Sequence, residues 1–246
     1  MTGSAAAGRL RLLSIVIPAR NEAGCIRAIV ELLHRELQSL GIPHEILVVD
    51  DGSTDRTANI LEELRVEIPV LHPLRNPHPP GFGAAVVCGF ENMAGDAAVI
   101  VMADGSDAAA DVVRYWIELN RGFDCVFGSR FLQAGDSAEY PRFRLLLNRL
   151  ANRFLGVLHG IAYDDITNAF KGYRRTVLET CRPLRSRSFD LTVELPLLAV
   201  RRGFSWTVVP VRWGERHCGA SKFRLGRLFV PYLVAGLRAR FAGRRR

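Results

Sequence analysis

Two pairs of carboxylates stand where apolar runs end. Asp50 and Asp51 close "EILVVDDGSTDRT", and Asp104 and Asp107 close "VIVMADGSDAAAD". Carboxylates in such a place can accept hydrogen bonds from a nucleotide base or ribose. They can also take Mg²⁺ or Mn²⁺, ions that prefer oxygen ligands and need only one or two protein carboxylates when a diphosphate supplies the rest. On that chemistry Asp104 is the primary metal ligand, with Ser106 and Asp107 as second contacts. The plain alternative is that Asp104 ends a strand and Asp107 caps the next helix, as Ser53 can cap the helix after Asp51. Gly81 and Gly83 in "PPGFGAAVVCG" permit close backbone approach to a ligand. They do not make a dinucleotide fingerprint, because the third glycine position is Val86.

The elements that must hold these residues alternate. Apolar, β-branched runs at 12–18, 45–51, 97–103 and 124–129, with a shorter run "VLHPL", predict strands. Helix-period segments fall between them at 23–40, 54–65, 83–93 and 107–121. Strands apolar on both faces and separated by helices imply an α/β fold with a mostly parallel sheet covered on both sides. The first four strands each empty into a polar or Gly-rich loop, "PARNE", "DDGSTDRT", "RNPHPPGFG" and "ADGSD", on the edge where such sheets bind ligands. Further helices are expected at 143–158 and 191–202, and a strand at "SWTVVPV".

The net charge of +8 is unevenly spread. Residues 1–123 hold 10 Lys+Arg against 16 Asp+Glu, whereas residues 124–246 hold 23 against 9, so an anionic partner belongs to the second half. Only two lysines occur, Lys171 and Lys222, each in a polar, loop-like stretch. The five cysteines are scattered and odd in number, which argues against a disulfide framework or a zinc site and for a reducing, cytoplasmic setting. The apolar run "LFVPYLVAGL" is ten residues long, against the roughly 20 needed to cross a bilayer. Residues 223–246 instead have the composition of a basic amphipathic helix, which either lies on a membrane or packs on the domain. Residues 1–11 are expected to be a flexible N-terminus and 12–222 a single domain.

Taken together, "SIVIPARNE", "ILVVDDGSTDRT", "RNPHPPGFGAAVVCGF", "VMADGSD", "GSRF", "DDITNAFKGYRR", "VELPLLAVRRG" and "GERHCGASKFRL" resemble family 2 glycosyltransferases of the GT-A fold. They are most similar to the branch that acts on dolichyl or polyprenyl phosphate. The resemblance runs over residues 12–225. It implies inverting, metal-dependent transfer of a sugar from a nucleotide-diphosphate sugar, GDP-mannose or a UDP-sugar, to a polyprenyl phosphate in a membrane. It further implies that Pro18, Ala19, Asn21, Glu22, Asp50 and Asp51 hold the nucleoside and that Asp104 is the second aspartate of the D-x-D motif. Met102 stands where the first aspartate would be, so either Asp107 or Ser106 completes the metal shell or the site has lost metal and activity. Arg130, Arg144 and Asn148 match the acceptor-phosphate positions, Arg216 and Lys222 the loop that closes over the phosphates, and Asp165, Thr167 and Asn168 the segment near the sugar. Catalysis is therefore expected of Asp104, Asp165, Arg130, Arg216 and Lys222. The absence of a Q-x-x-R-W motif favours a lipid phosphate over a hydroxyl acceptor. A non-catalytic nucleotide-sugar-binding protein is the alternative from another class. Peripheral attachment to the cytosolic membrane face follows from such an acceptor, alone or through a membrane-anchoring partner subunit. A nucleic-acid partner is not expected, since the arginines are not interleaved with a stacking or groove-reading motif.

Overall fold

The computed structural model of the chain describes residues 8–132, 142–212 and 225–242. Within them, strands β1 (Leu13–Ala19), β2 (His44–Asp50), β3 (Leu71–Arg75), β4 (Ala97–Ile100), β5 (Cys125–Ser129), β6 (Lys171–Arg174) and β7 (Trp206–Pro210) form one sheet. Its order is β3-β2-β1-β4-β6-β5-β7. The helices are α1 (Ile26–Ser39), α2 (Thr57–Glu67), α3 (Phe82–Asn92), α4 (Ala109–Asn120), α5 (Arg142–His159), α6 (Arg175–Thr180), α7 (Leu191–Arg201) and α8 (Leu225–Phe241).

The expected two-sided sheet is present. Ile15, Ile17 and Val48 face one layer with Val30 and Leu33 of α1, Leu61 of α2 and Val112 of α4. Val16 and Leu47, one residue out of phase, face the other layer with Val86 and Phe90 of α3, Leu195 of α7 and Ala235 of α8. Each such fully buried branched side chain contributes about 1.5–3 kcal/mol of transfer free energy. The two layers together dictate why the first strands read as continuous apolar runs.

β6 departs from the sequence reading, in which Lys171 lies in a loop. Its residues, Lys171–Arg174, have little strand propensity, yet they pair antiparallel with both β4 and β5. Context outweighs propensity here, because β6 fills the gap between two strands that do not touch each other. Gly172 is the residue that fits, since a Cβ there would meet Tyr115 Cδ1 at 2.9 Å and Val99 Cγ2 at 3.3 Å.

The ends of the chain also differ from expectation. Residues 8–11, placed in a flexible N-terminus, are held down: Leu10 is buried, its N–H donates to Asn120 Oδ1, and Arg11 pairs with Asp96. At the other end α8 buries Tyr232, Ala235 and Ala239 in the second core layer while exposing Val230, Val234, Leu237 and Phe241. Packing on the domain and presenting an amphipathic face are therefore both true of it. Cys25, at the N-cap of α1, is disulfide-bonded, against the expectation of no disulfide; Cys88, Cys125 and Cys181 are free and buried.

Gly172→Ala should lower stability by about 1–3 kcal/mol through overpacking against Tyr115 and Val99. Urea denaturation should show a lower midpoint with an unchanged slope, and an unchanged midpoint would refute the close contact.

Candidate functional site

The C-terminal ends of β1 and β2 are tied into one edge. Pro18 and Ala19 pair with Val49 and Asp50, and the Asp51 N–H donates to the Ala19 carbonyl. Asn21 follows with φ of 54°, a left-handed conformation that asparagine tolerates. Its N–H donates to Ser53 Oγ and its Oδ1 accepts from the Thr54 N–H at 2.7 Å, while the Glu22 N–H donates to Thr57 Oγ1. Ser53 is therefore a brace for Asn21 and not a helix cap. The helix begins at Thr57, whose N–H and hydroxyl both donate to Asp55 Oδ1.

The two carboxylates of this edge are fixed by separate partners. Asp50 Oδ1 accepts from the Ser53 N–H, and the buried Asp51 accepts from Asn76 Nδ2 at 2.6 Å. Asn76, just past β3, also donates its N–H to the Asp50 carbonyl. Sequence reasoning missed Asn76, although its place at the next strand end marked it.

Gly81 and Gly83 pack closely against another segment of the chain. The space a Cβ would need is filled by the chain itself: Arg187 O lies 2.3 Å from that position at Gly81, and Ser188 O and Ser186 O lie 2.7 and 2.8 Å from it at Gly83. The close approach they permit is to the backbone at 186–188, which the Glu194 carboxylate holds by accepting from the Arg185 and Ser186 N–H groups. Phe82 stacks on Phe189 at 4.4 Å across the same contact. The two glycines therefore have a packing role.

Past β4, Asp104 is buried, and its Oδ1 accepts from both the Ser106 N–H at 3.0 Å and the Ser106 hydroxyl at 2.6 Å. Ser106, expected as a second metal contact, orients Asp104 through these two bonds. Asp107 Oδ2 accepts from the Met102 N–H at 2.9 Å, and Asp107 does not cap α4, which starts at Ala109 with no side-chain cap. Desolvation, reinforced by the Asp104 charge, pushes the Asp107 carboxyl up to about 7. Among the described residues no three His, Cys, Asp or Glu side chains form a metal cage. The donor set fits a divalent ion held by Asp104 and completed by phosphate oxygens and water, the usual manner of Mg²⁺.

The third part of the site is an ion pair. Arg130, after β5, donates from Nε to Asp165 Oδ2 at 2.8 Å and from Nη2 to Asp165 Oδ1 at 2.7 Å, and its backbone N–H also donates to Oδ2. Asp165 is fully buried and the Arg130 side chain is 17% exposed. Around the pair, Ser129 Oγ donates to Asp164, Asn168 Nδ2 donates to the Gly128 carbonyl, and the Thr167 N–H donates to Asn152 Oδ1. Lys171 is buried beneath it, donating to the carbonyls of Ile166 and Asn168, and burial pushes its ammonium down to about 7. The structure joins Arg130, expected at the acceptor phosphate, to Asp165, expected at the sugar.

Asn148, the other acceptor-phosphate candidate, is buried, and its carbonyl, like its side-chain oxygen, accepts from Asn152 Nδ2. It braces α5 against Thr167 through Asn152. Arg144 lies in α5, but its side chain falls outside the described residues, as do Arg216 and Lys222 altogether. Beside the ion pair a cavity of about 570 Å³ opens between α5 and the 161–164 segment, lined by Phe131, Arg149, Arg153, Tyr163 and Asp164 among others. Arg149 and Arg153 were not singled out from the sequence, where nothing separates them from the other arginines.

Substitutions at the ion pair and at Asp107 check this geometry. Arg130→Met leaves the buried Asp165 carboxylate without its counter-charge and should cost about 3–5 kcal/mol, most of it regained in Arg130→Met/Asp165→Leu. A double variant no more stable than the single one in urea would show the pair is not coupled. For Asp107 the folded pKa lies above the unfolded value of 3.8. The folded state therefore holds a proton that the unfolded state releases, and stability falls as pH rises from about 4 to about 7. Asp107→Asn, which keeps an acceptor for the Met102 N–H, should gain on the parent by about 2–4 kcal/mol across that window in chelator-containing buffer. Parallel stability–pH curves would contradict it.

Comparison with known proteins follows the same lines. The profile of Glycosyl transferase family 2 matches residues 14–182. Polyprenol monophosphomannose synthase of Mycolicibacterium smegmatis is 33% identical over 214 residues, covering 85% of this chain and 79% of that protein. Undecaprenyl-phosphate mannosyltransferase of Micrococcus luteus is 29% identical, covering 96% of this chain and 98% of that one. Among solved structures, glucosyl-3-phosphoglycerate synthase from Mycobacterium tuberculosis, in complex with Mn²⁺, uridine diphosphate and phosphoglyceric acid, superposes with a TM-score of 0.68. At 20% identity over 94% of this chain and 78% of the other, that likeness speaks for the GT-A fold alone. With its carboxylate-edged strand ends, its Arg130–Asp165 pair and this match, the chain belongs to glycosyl transferase family 2.

Proposed function

We propose that the protein transfers a sugar from a nucleotide-diphosphate sugar, GDP-mannose or a UDP-sugar, to a polyprenyl phosphate, with inversion. The observation that carries this reading is the meeting, on one sheet edge, of the tethered Asp50–Asp51 pair, the oriented Asp104 and the Arg130–Asp165 pair, beside an arginine-lined cavity. The relatives named for polyprenyl and undecaprenyl phosphate support the acceptor class.

The residues divide the work. Asp50 and Asp51, held by Ser53 and Asn76, offer carboxylate oxygens to the nucleoside, and the loop of Asn21 and Glu22 covers it from β1. Asp104 would hold Mg²⁺ or Mn²⁺, which when bound would stabilise the negative charge gathering on the departing nucleoside diphosphate. A phosphate acceptor is already anionic near neutral pH, its second pKa being about 6, so no strong general base is required. The acceptor oxygen forms its bond to the anomeric carbon as the bond to the diphosphate breaks, the bonding pair leaving with the nucleoside diphosphate. The Arg130–Asp165 pair fixes the floor of the sugar site, and Arg149 and Arg153 draw the acceptor anion toward it. No described helix is long and apolar enough to cross a membrane. The exposed apolar and arginine residues of α8 suit a peripheral position at the cytosolic membrane face, alone or beside an anchoring subunit.

Incubation with GDP-mannose, UDP-glucose or UDP-GlcNAc, Mg²⁺ or Mn²⁺ and a short-chain polyprenyl phosphate should yield a lipid-linked sugar with one donor. Asp104→Ala should lower the rate by about 100-fold or more. No product with any donor, or an unaffected Asp104→Ala, would overturn the assignment.

A further inference from the structure

We propose that Lys171 is a positioning residue for the acceptor phosphate: its enclosed ammonium fixes the turn that follows Asp165 and gives the Arg130–Asp165–Lys171 cluster one net positive charge. Lys171 opens β6 and is 1% exposed. Its backbone is paired with Phe127 of β5, while its Nζ donates to the Ile166 carbonyl at 2.9 Å and to the Asn168 carbonyl. The Tyr163 ring centroid, 5.8 Å from Nζ, closes a further side. The N–H groups of the same turn are met separately, that of Asn168 by the Asp165 carbonyl and that of Thr167 by Asn152 Oδ1, both at 3.0 Å. One lysine thus satisfies two carbonyls of the turn and ties them to the sheet. A compact ammonium suits that task better than a planar guanidinium, and Lys171 is one of only two lysines among 33 Lys+Arg.

The charge of the cluster depends on the same proton. Arg130 and Asp165, bonded to each other, sum to zero, so the cluster is cationic only while Lys171 is protonated. Burial brings the Lys171 ammonium down to about 7, Asp165 opposing the fall and Arg130 adding to it. The phenols of Tyr163 and Tyr173 stay protonated, since burial raises both well above their ordinary range. Asp164 is exposed and accepts from Ser129 Oγ, and Arg149 and Arg153 line the cavity with their charge unchanged near neutral pH. A neutral amine still carries two N–H groups, enough for both carbonyls. Loss of the proton therefore removes the charge and keeps the turn. An anion bound beside the pair favours the protonated lysine, so acceptor and proton bind together.

This inference rests on the reading that the acceptor is a lipid phosphate, and it adds the group that sets how acceptor binding depends on pH. Calorimetric titration of the full chain with farnesyl phosphate from about pH 7 to about pH 9 tests it, a range in which a phosphate with a second pKa of about 6 is already ionised. The parent should lose about tenfold in affinity across the range, as for one unit charge removed near the anion. Lys171→Met should bind at the lower end as weakly as the parent does at the upper end, and equally at both. In steady-state transfer this variant should raise KM for the acceptor and leave KM for the nucleotide sugar unchanged. With only two lysines present, ¹³C-lysine NMR reads the group directly in the parent: one signal should titrate near 7 and move up by about one unit when farnesyl phosphate is bound.

A parent affinity that is flat with pH, or no binding of farnesyl phosphate at either end, overturns the inference. So does a fall that persists in Lys171→Met, which would give the effect to the Asp107 carboxyl, also near 7. A rise in both KM values marks a collapsed site and overturns the positioning role, as does the absence of a lysine signal titrating near 7. A parent that makes no product with any donor, yet shows the tenfold fall and the shifted lysine signal, upholds the role of Lys171 and removes the proposed transfer instead.

Discussion

The Arg130–Asp165 pair is the constraint from which the second half of the site is built. A carboxylate removed wholly from water is tolerated only when its charge is met with good geometry, and here two guanidinium N–H groups and one backbone N–H converge on it. The pair fastens the segment after α5 to the end of β5, and the bonds of Asn168, Thr167 and Lys171 complete that fastening. It also changes what Arg130 can do. An arginine already facing a carboxylate attracts a further anion less than one facing water. The acidic first half of the chain carries the carboxylates at the ends of β2 and β4, and the basic second half carries the arginines around the cavity.

Much of this was legible in the sequence because the first half obeys simple rules. Strands buried on both faces read as unbroken apolar runs, and the polar residues that follow them collect on one edge by topology alone. Asp50, Asp51 and Asp104 could therefore be placed before any coordinates. What could not be read is which partner each polar group takes. Ser53 and Asp107 carry cap-like sequence signals, yet each is claimed by a residue earlier in the chain, the distant Asn21 in one case and the nearby Met102 in the other. Gly81 and Gly83 looked like room for a ligand because the sequence does not say that residues 186–188 pass beside them. β6 was hidden for a related reason: "KGYR" has no strand signature and becomes a strand only through the edges on either side of it.

The replacement at position 102 takes on a structural meaning. In this chain the Met102 backbone is held by the Asp107 carboxylate, so the loop between β4 and α4 keeps its course without a carboxylate at 102. Asp104 is braced within the same loop by Ser106.

The position of β6 also bears on how the molecule comes into being. In chain order β5 follows β4, but in the sheet β6 lies between them, antiparallel to each. A ribosome making this protein will have released β1 to β4 as a parallel array with one raw edge on β4, and that edge has no partner until residue 174 has been synthesised. For the intervening stretch, which includes the whole of α5, β4 is an open template of the kind that other chains can join. The same insertion that makes the finished sheet continuous makes its growth discontinuous.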